Sequence, residues 1–200
     1  MVPKIQVIFN VVNFRCVLVS IDFAVKSSEK ISGLKIIIPS CYSENRGEIW
    51  TSYNTSQIGA LLPDNLSFKH DKFSISKYKV LRGIHGDHKS WKLVSCVAGK
   101  ILQVVIDMRE YSSTYLQHQC FELGYSNHQM ILIPPGLGNA FFVKSKFATY
   151  HYKLAYQGNY VDAEDQFTVA WNDPRININW PSNEPILSER DGRFQKNAKN

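Results

Sequence analysis

A short apolar run leads into the sequence Arg82-Gly83-Ile84-His85. On a strand, successive side chains point to opposite faces, so Arg82 and Gly83 would face opposite ways. A neutral imidazole can remove a proton near pH 7, an arginine binds phosphate oxygens, and a glycine lets a ligand approach the backbone. The segment therefore predicts a base beside an anion site, although a strand-end histidine beside a surface arginine fits the spacing equally well.

His85 and His88 have the H-x-x-H spacing that can bind zinc. A barrel metal site of this kind usually adds a carboxylate a few residues on and another histidine further downstream. The next acidic residue after Asp87 is Asp107, and the later histidines lie in no matching motif. We therefore expect no metal at this position.

Two turn segments come later in the chain. Residues 133–141 contain two prolines and two glycines between apolar runs, which is either a plain hairpin or a turn that aims Asn139 into a cavity. The segment Trp171-Asn172-Asp173-Pro174 is a turn by composition. Neither segment identifies a function on its own.

The elements that must position these residues are short apolar runs separated by turn signals, typical of an all-β sandwich or barrel. The run Ile101–Ile106 is continuous, so we expect a central strand buried on both faces. Only Ser56–Leu62 has helical spacing. The other runs are Leu34–Pro39, Lys92–Val97, Met130–Pro134, Ala140–Val143 and Ala148–Leu154.

The chain has 200 residues, 44% of them hydrophobic, so it can form a full core and is not disordered as a whole. Its net charge of +6 comes from dispersed basic residues, which suits an anionic ligand but not nucleic acid. The four cysteines form no C-x-x-C pair, which favours a reducing cytoplasm over a disulfide or zinc framework.

Residues 5–25 are largely apolar, but Asn10, Asn13, Arg15 and Asp22 interrupt them. A membrane span needs about 18 or more uninterrupted apolar residues, so we expect none, and no signal-peptide cleavage site follows. Two interpretations of this extension remain open: an added strand or helix that packs on the domain, or a poorly ordered segment.

Taken together, the motifs resemble those of the dTDP-4-dehydrorhamnose 3,5-epimerase family, cupin-fold enzymes that epimerise nucleotide-linked 4-keto sugars. The likeness covers roughly residues 34–191. The matching segments are residues 44–47 (ENRG), 74–76 (SIS), 81–85 (LRGIH), 92–94 (KLV), 107–109 (DMR), 133–136 (IPPG), 152–153 (YK), 171–174 (WNDP), 180–181 (WP) and 187–191 (LSERD).

The resemblance implies an all-β fold, a cupin or jelly-roll β-barrel of two antiparallel sheets with few short helices. It makes His85 the catalytic base, Asp191 its hydrogen-bond partner, Tyr152 the acid on the opposite sugar face, and Lys92 the cation near the keto oxygen. These roles fit the chemistry, because a ketone at C4 acidifies the protons at C3 and C5. No metal or cofactor is implied.

The resemblance also implies a substrate-binding set. Arg82 and Arg46 match arginines that contact the diphosphate, and arginine suits a diphosphate because its planar fork bonds two oxygens at once. The remaining members are Asn139, Tyr160, Arg190 and Asp87. For the second tyrosine of the site, Tyr160 is our choice and Tyr156 the alternative.

This chain departs from the family pattern at the positions that recognise the nucleobase of the substrate. Asn139 replaces a substrate-facing histidine, Gly86-Asp87 replaces Phe-Gln, and Thr51 replaces a glutamate. A glutamine and an asparagine that contact the nucleotide correspond to His70 and Lys72. The Gly-Asn variant is similar to members that act on GDP-linked 6-deoxy-4-keto-heptoses, so we expect a GDP-linked sugar, with a dTDP-linked sugar as the alternative.

We expect an extension over residues 1–33, a cupin epimerase domain over 34–195 and a tail over 196–200. The resemblance implies a homodimer, which is the family's usual assembly, and a product that enters a surface polysaccharide such as lipopolysaccharide or capsule. The cysteine usage favours a cytoplasmic location. One rival hypothesis is a non-catalytic sugar-nucleotide-binding cupin, which loss of His85, Asp191 or Tyr152 would favour. A keto-sugar 3,4-isomerase is a weaker rival, because that class lacks the C-terminal motifs.

Overall fold

The structure, a computed structural model, describes residues 22–195. The described part is built from strands with little helix, as the short apolar runs predict. In chain order the strands are β1 (Phe23–Ser27), β2 (Lys35–Pro39), β3 (Cys41–Glu44), β4 (Gly47–Trp50), β5 (Phe68–Lys77), β6 (Leu81–Gly86), β7 (Trp91–Ala98), β8 (Lys100–Asp107), β9 (His118–Gly124), β10 (Met130–Ile133), β11 (Leu137–Val143), β12 (Phe147–Ala155) and β13 (Phe167–Thr168). The helix α1 spans Glu189–Arg193, and single 3₁₀ turns lie at Gly59–Leu61 and Ala163–Asp165.

The strands form two large sheets and one hairpin. The six-stranded sheet has the order β1-β2-β10-β7-β12-β5, and the five-stranded sheet the order β13-β6-β11-β8-β9. Among residues 22–195, strands β3 and β4 pair only with each other. The pairings within the sheets are antiparallel. This arrangement confirms the predicted all-β fold of two antiparallel sheets.

The central core lies between the two sheets. It includes Val94 and Cys96 of the six-stranded sheet and Val105, Phe141 and Val143 of the five-stranded sheet. Side chains that alternate along each strand interdigitate across this layer, which is how two β-sheets bury their inner faces.

The outer faces are covered by segments with little regular structure. Ile176 and Trp180 of the C-terminal segment pack on the five-stranded sheet, and Ile58 and Leu62 pack on the six-stranded sheet. Strand β8 is therefore buried along both faces from Ile101 to Asp107, as its continuous apolar run predicts.

Strand β1 lies at the edge of the six-stranded sheet and pairs with β2 from Phe23↔Pro39 to Ser27↔Lys35. The described part of the N-terminal extension thus contains an added strand, while the rest of the expected extension, residues 1–21, and the expected tail, 196–200, lie outside the described residues. The domain limits at 33 and 195 remain predictions. Over residues 22–195, no helix has both the length and the apolar character needed to cross a membrane.

Candidate active site

A cavity of about 320 Å³ opens between the two sheets. Its walls come from β5, β7 and β12 on one side and from β6 and β11 on the other, and α1 closes one end. It brings together eight of the ten residues assigned from the sequence: His85, Asp191, Tyr152, Lys92, Arg82, Asn139, Tyr160 and Arg190. Its volume lies in the range of small-molecule binding sites.

His85 and Asp191 form a hydrogen-bonded pair in this cavity. The distance from His85 Nε2 to Asp191 Oδ1 is 2.5 Å, although 106 residues separate the two positions in the chain. The Asp191 side chain is 2% exposed and that of His85 is 24% exposed, so the carboxylate is buried behind an accessible imidazole. Burial raises the pKa of Asp191, but the hydrogen bond and charge attraction of His85, together with hydrogen bonds from Ser188 and the Gly83 backbone, outweigh burial, and the pKa is lowered.

Local structure holds each member of this pair. Asp191 lies in the first turn of α1, where its backbone N–H donates to the Ser188 side chain, which caps the helix. His85 lies near the end of β6, two residues beyond Gly83. Gly83 has φ +116°, and a Cβ there would lie 2.6 Å from the Asn139 carbonyl oxygen and from the Ala140 Cβ. Only glycine lets β6 approach β11 this closely.

Lys92 lies on the inner face of β7 and is 8% exposed. Burial lowers its pKa, and Asp87 opposes this shift from 3.6 Å away. Asp87 does not line the cavity. Its Oδ1 accepts hydrogen bonds from the backbone N–H groups of Lys89 and Ser90, so it is fixed behind Lys92 and not against a ligand.

Tyr152 and Asn139 lie on β12 and β11 and both line the cavity. Asn139 does not act alone, because its Oδ1 accepts hydrogen bonds from Gln103 Nε2 at 2.7 Å and from the Tyr150 hydroxyl at 3.3 Å. The Tyr150 hydroxyl also donates to Gln103 Oε1 at 3.0 Å. Burial raises the pKa of Tyr150 well above its ordinary value. Gln103, Asn139 and Tyr150 thus form a hydrogen-bonded triangle, and two of them, Asn139 and Tyr150, give the cavity an uncharged polar surface.

The sequence analysis missed Tyr150, which lines the cavity, and Gln103, which is fully buried and supports Asn139 from behind. A signal for each was present. Tyr150 precedes Tyr152 by two residues, so both must lie on the same face of a strand. Gln103 is the polar residue within the run Ile101–Ile106, and a buried amide needs hydrogen-bond partners.

The two arginines of the cavity are positioned by different elements. Arg82 Nε donates to Ser76 Oγ on β5 at 2.9 Å. Arg190 donates to Thr168 Oγ1 through both Nε (2.9 Å) and Nη2 (2.6 Å). A residue of the six-stranded sheet thus holds Arg82, and a residue of the five-stranded sheet holds Arg190. Two positioned guanidinium groups in one cavity suit an anionic ligand.

Tyr160, and not Tyr156, lines the cavity. Lys72 Nζ donates to the Tyr160 hydroxyl at 2.8 Å, and this hydrogen bond raises the pKa of Lys72. Tyr156 is buried next to His70, with 3.5 Å from its hydroxyl to Nε2. The geometry favours the choice of Tyr160 over the alternative.

Arg46 is, with Asp87, one of the two predicted residues that do not line the cavity. It lies in the turn between β3 and β4, beside Glu44, with a side chain 87% exposed. The reason is topological, since the β3–β4 hairpin pairs with neither large sheet. A diphosphate contact by Arg46 remains a prediction.

His88, the other half of the H-x-x-H spacing, lies outside the cavity, with its ring 5.5 Å from that of Phe167. Within the described range 22–195, the potential ligands that converge in a group of three or more are Cys41, Glu48 and His128, and none of them lines the cavity.

A buried carboxylate on an imidazole, beside a lysine, a tyrosine and two arginines, defines with the two-sheet fold a cupin-type isomerase of nucleotide sugars. Comparison with known proteins agrees. Residues 28–199 match the family model described as dTDP-4-dehydrorhamnose 3,5-epimerase. The chain belongs to this family.

Similar proteins carry the same name. A dTDP-4-dehydrorhamnose 3,5-epimerase of Salmonella typhimurium is 33% identical over 80% of this chain and 88% of its own. One of Escherichia coli K12 is 34% identical over 82% and 90%. The structure of a dTDP-6-deoxy-D-glucose-3,5-epimerase from Legionella pneumophila Philadelphia 1, in complex with dTDP-4-keto-L-rhamnose, aligns with a TM-score of 0.79 at 32% identity, covering 87% of this chain and 92% of the other. The predicted cupin fold is confirmed.

Proposed function

We propose that this protein inverts C3 and C5 of a nucleotide-diphosphate-linked 4-keto-6-deoxy sugar. The proposal rests on one observation: the buried Asp191 carboxylate bonds the His85 imidazole inside a cavity that also contains Lys92 and Tyr152. Such a pair is a general base, because the carboxylate fixes the imidazole and stabilises the imidazolium that forms.

We use the same hydrogen bond to propose a role for each ring nitrogen of His85. Asp191 accepts from His85 Nε2–H, which leaves Nδ1 to take the proton from the carbon beside the ketone. The negative charge moves to O4 as an enolate, and the Lys92 ammonium stabilises it as it develops. Tyr152 then returns a proton to the opposite face of the carbon, and the centre is inverted. Arg82 and Arg190 hold the diphosphate.

For the nucleotide, we favour a dTDP-linked sugar. The similar proteins are named as dTDP-sugar epimerases, and the Legionella structure holds a dTDP-sugar. A GDP-linked sugar is the second candidate. The observation in favour of GDP is that His70 and Lys72 occupy the positions of a glutamine and an asparagine that contact the nucleotide in the family. Both side chains lie beside Tyr160, which lines the cavity.

Calorimetry with dTDP, GDP, UDP and CDP separates the two candidates without an unstable keto sugar. Tightest binding of dTDP is the result we expect, and tightest binding of GDP would favour the heptose-type substrate. Arg82→Ala should weaken nucleotide binding, whereas replacement of the exposed Lys69 by alanine serves as a charge-matched control. If no nucleotide binds, both candidates are wrong.

Proton exchange tests the chemistry. In D₂O, the wild-type protein should incorporate deuterium at C3 and C5 of dTDP-4-keto-6-deoxyglucose. His85→Ala should abolish incorporation, while His118→Ala, which alters a histidine of β9 outside the cavity, should not. Exchange that persists in His85→Ala would contradict the assignment of the base.

We also propose a homodimer in a reducing cytoplasm. The support is the family's usual assembly and the free thiols of Cys41, Cys96 and Cys120, the described cysteines. Analytical ultracentrifugation should give about twice the mass of 22.9 kDa, and a monomer at micromolar concentration would contradict the dimer.

A further inference from the structure

A second cluster of reactive side chains lies on the β3–β4 hairpin, away from the cavity. Residues paired directly across an antiparallel hairpin share a face. Cys41 pairs with Trp50, and Ser43 pairs with Glu48. Because Cys41 and Ser43 are two residues apart, all four side chains lie on one face of the hairpin.

His128 packs on this face. Its ring stacks on Trp50 with 3.8 Å between the ring centroids and 17° between the planes. Its Nε2 lies 2.8 Å from Glu48 Oε2. The His128 side chain is only 9% exposed, whereas Glu48 and Cys41 are open to solvent. An imidazole is thus held firmly between an aromatic ring and a carboxylate, with a thiol beside them.

The three groups converge on one point. The Cys41 sulfur, a Glu48 carboxylate oxygen and a His128 ring nitrogen all lie within 4.8 Å of one another. Zinc binds these donor types at about 2.0 to 2.3 Å in tetrahedral geometry, so its ligand atoms stand roughly 3.3 to 3.7 Å apart. Cys41 and Glu48, the two exposed members, are the side chains that would adjust to reach this spacing.

A further contact supports the carboxylate. Ser43 Oγ donates to Glu48 Oε1 at 3.3 Å, which leaves Oε2 directed at His128. Metal-binding carboxylates are commonly oriented by such outer hydrogen bonds. The set of one thiolate, one imidazole and one carboxylate selects a borderline transition metal over magnesium or calcium, which prefer oxygen ligands alone.

We propose that Cys41, Glu48 and His128 form a binding site for a divalent transition-metal ion, with zinc as the natural occupant and water in the fourth position. Binding releases the thiol proton of Cys41 to solvent, shifts the Nε2 proton of His128 to Nδ1, and replaces the His128–Glu48 hydrogen bond by two metal bonds. The ion would join the β3–β4 hairpin to the turn that precedes β10. It would thereby fix the hairpin turn that presents Arg46.

Cobalt(II) is the probe, because its thiolate complexes absorb in the near ultraviolet and its tetrahedral complexes absorb in the visible. The reduced, chelator-treated full-length protein should bind one equivalent with both signals, and zinc should displace it. Cys41→Ser should remove the thiolate band. Cys120→Ser, which removes another exposed thiol, should leave it unchanged.

Glu48→Gln should keep the thiolate band but weaken cobalt binding at least about tenfold, because it removes an anionic ligand. Amide hydrogen exchange gives an independent readout, since zinc should slow exchange over residues 41–50 in the wild type and not in Cys41→Ser. The proposal is wrong if binding is not stoichiometric, if the band survives Cys41→Ser, or if Cys120→Ser also removes it.

Discussion

At the scale of single residues, the Asp191 carboxylate enables His85 to act as a general base. It fixes the imidazole orientation and lowers the cost of forming the imidazolium. We expect Asp191→Asn to reduce the epimerisation rate by about two to four orders of magnitude while nucleotide affinity changes little. Steady-state kinetics and calorimetry measure the two effects. Glu189→Gln, an exposed change in the same helix, is the control, and a wild-type rate in Asp191→Asn would exclude the pair.

Tyr152 should act after the base. Tyr152→Phe removes the proton donor but leaves His85 intact, so deuterium should still enter from the base side while product forms about 10²-fold or more slowly. Tyr78→Phe, a change on the exposed surface, is the matched control. Equal loss of exchange and product formation in Tyr152→Phe would argue against a role as acid alone.

Asp87 offers a test through pH. Burial lowers the pKa of Lys92, and the nearby Asp87 carboxylate opposes that shift. Removing the negative charge in Asp87→Asn must therefore lower the pKa of Lys92 further. Because the ammonium form exists below its pKa, the alkaline limb of the kcat profile should move to lower pH. Asp64→Asn, an exposed change, should not move it, and an unmoved limb in Asp87→Asn would show that Lys92 is not the titrating group.

At the scale of elements, the crossing of β6 and β11 depends on Gly83. Gly83→Ala combines an unfavourable φ with a backbone clash, so we expect a loss of at least about 2 kcal/mol in the free energy of unfolding. Gly47→Ala has a similar positive φ, +127°, but no neighbour within 4 Å, and should cost about 1 kcal/mol. Urea unfolding of both variants separates crowding from backbone conformation, and equal losses would refute the crowding argument.

The strands were predictable from sequence because burial dominates their composition. Ile101–Ile106 is apolar apart from Gln103 since both faces of β8 are covered, and each of the other apolar runs contains strand residues. Ser56–Leu62, with helical spacing, contains only the 3₁₀ turn Gly59–Leu61. The segment is short and lies against the sheet, so packing and not helix propensity determines its shape.

The sequence predicted the site residues that belong to a recognisable local motif or to a motif of the family. His85, Asp191 and Tyr152 come from such motifs. The sequence marks Gln103 as a buried amide and places Tyr150 on the same strand face as Tyr152. Their contact with each other depends on the pairing of β8 with β11 and on the facing of the two sheets, which no local pattern encodes. The position of Arg46 depends on the orientation of a hairpin that neither large sheet constrains, and this too has no local signal.

At the scale of the whole molecule, acid should destabilise the fold through Asp107. Burial would raise its pKa, but hydrogen bonds from Arg109, Thr114 and Ser112 outweigh this and lower the pKa to about 2, against 3.8 for the free side chain. The folded state therefore gains stability above pH 4, and this gain, about 2 kcal/mol, is lost as the pH falls from 4 to 2.

Urea unfolding between pH 6 and pH 2 measures this loss. Asp107→Asn should be less stable at neutral pH and should show a shallower decline in acid. Carboxyl ¹³C NMR of the wild-type protein gives the pKa of Asp107 directly and does not depend on the variant folding. An Asp107 carboxyl that titrates near 3.8 would contradict the account.

The triangle of Gln103, Asn139 and Tyr150 has a consequence for how this site can diverge. Each member satisfies polar atoms of the other two, so changing one leaves a buried group without a partner. Their substitutions should be strongly epistatic. Asn139→His, which introduces the histidine of the family pattern, should therefore require a second substitution at Gln103. The variant with the single substitution should be less active and less stable than either the wild type or the double variant.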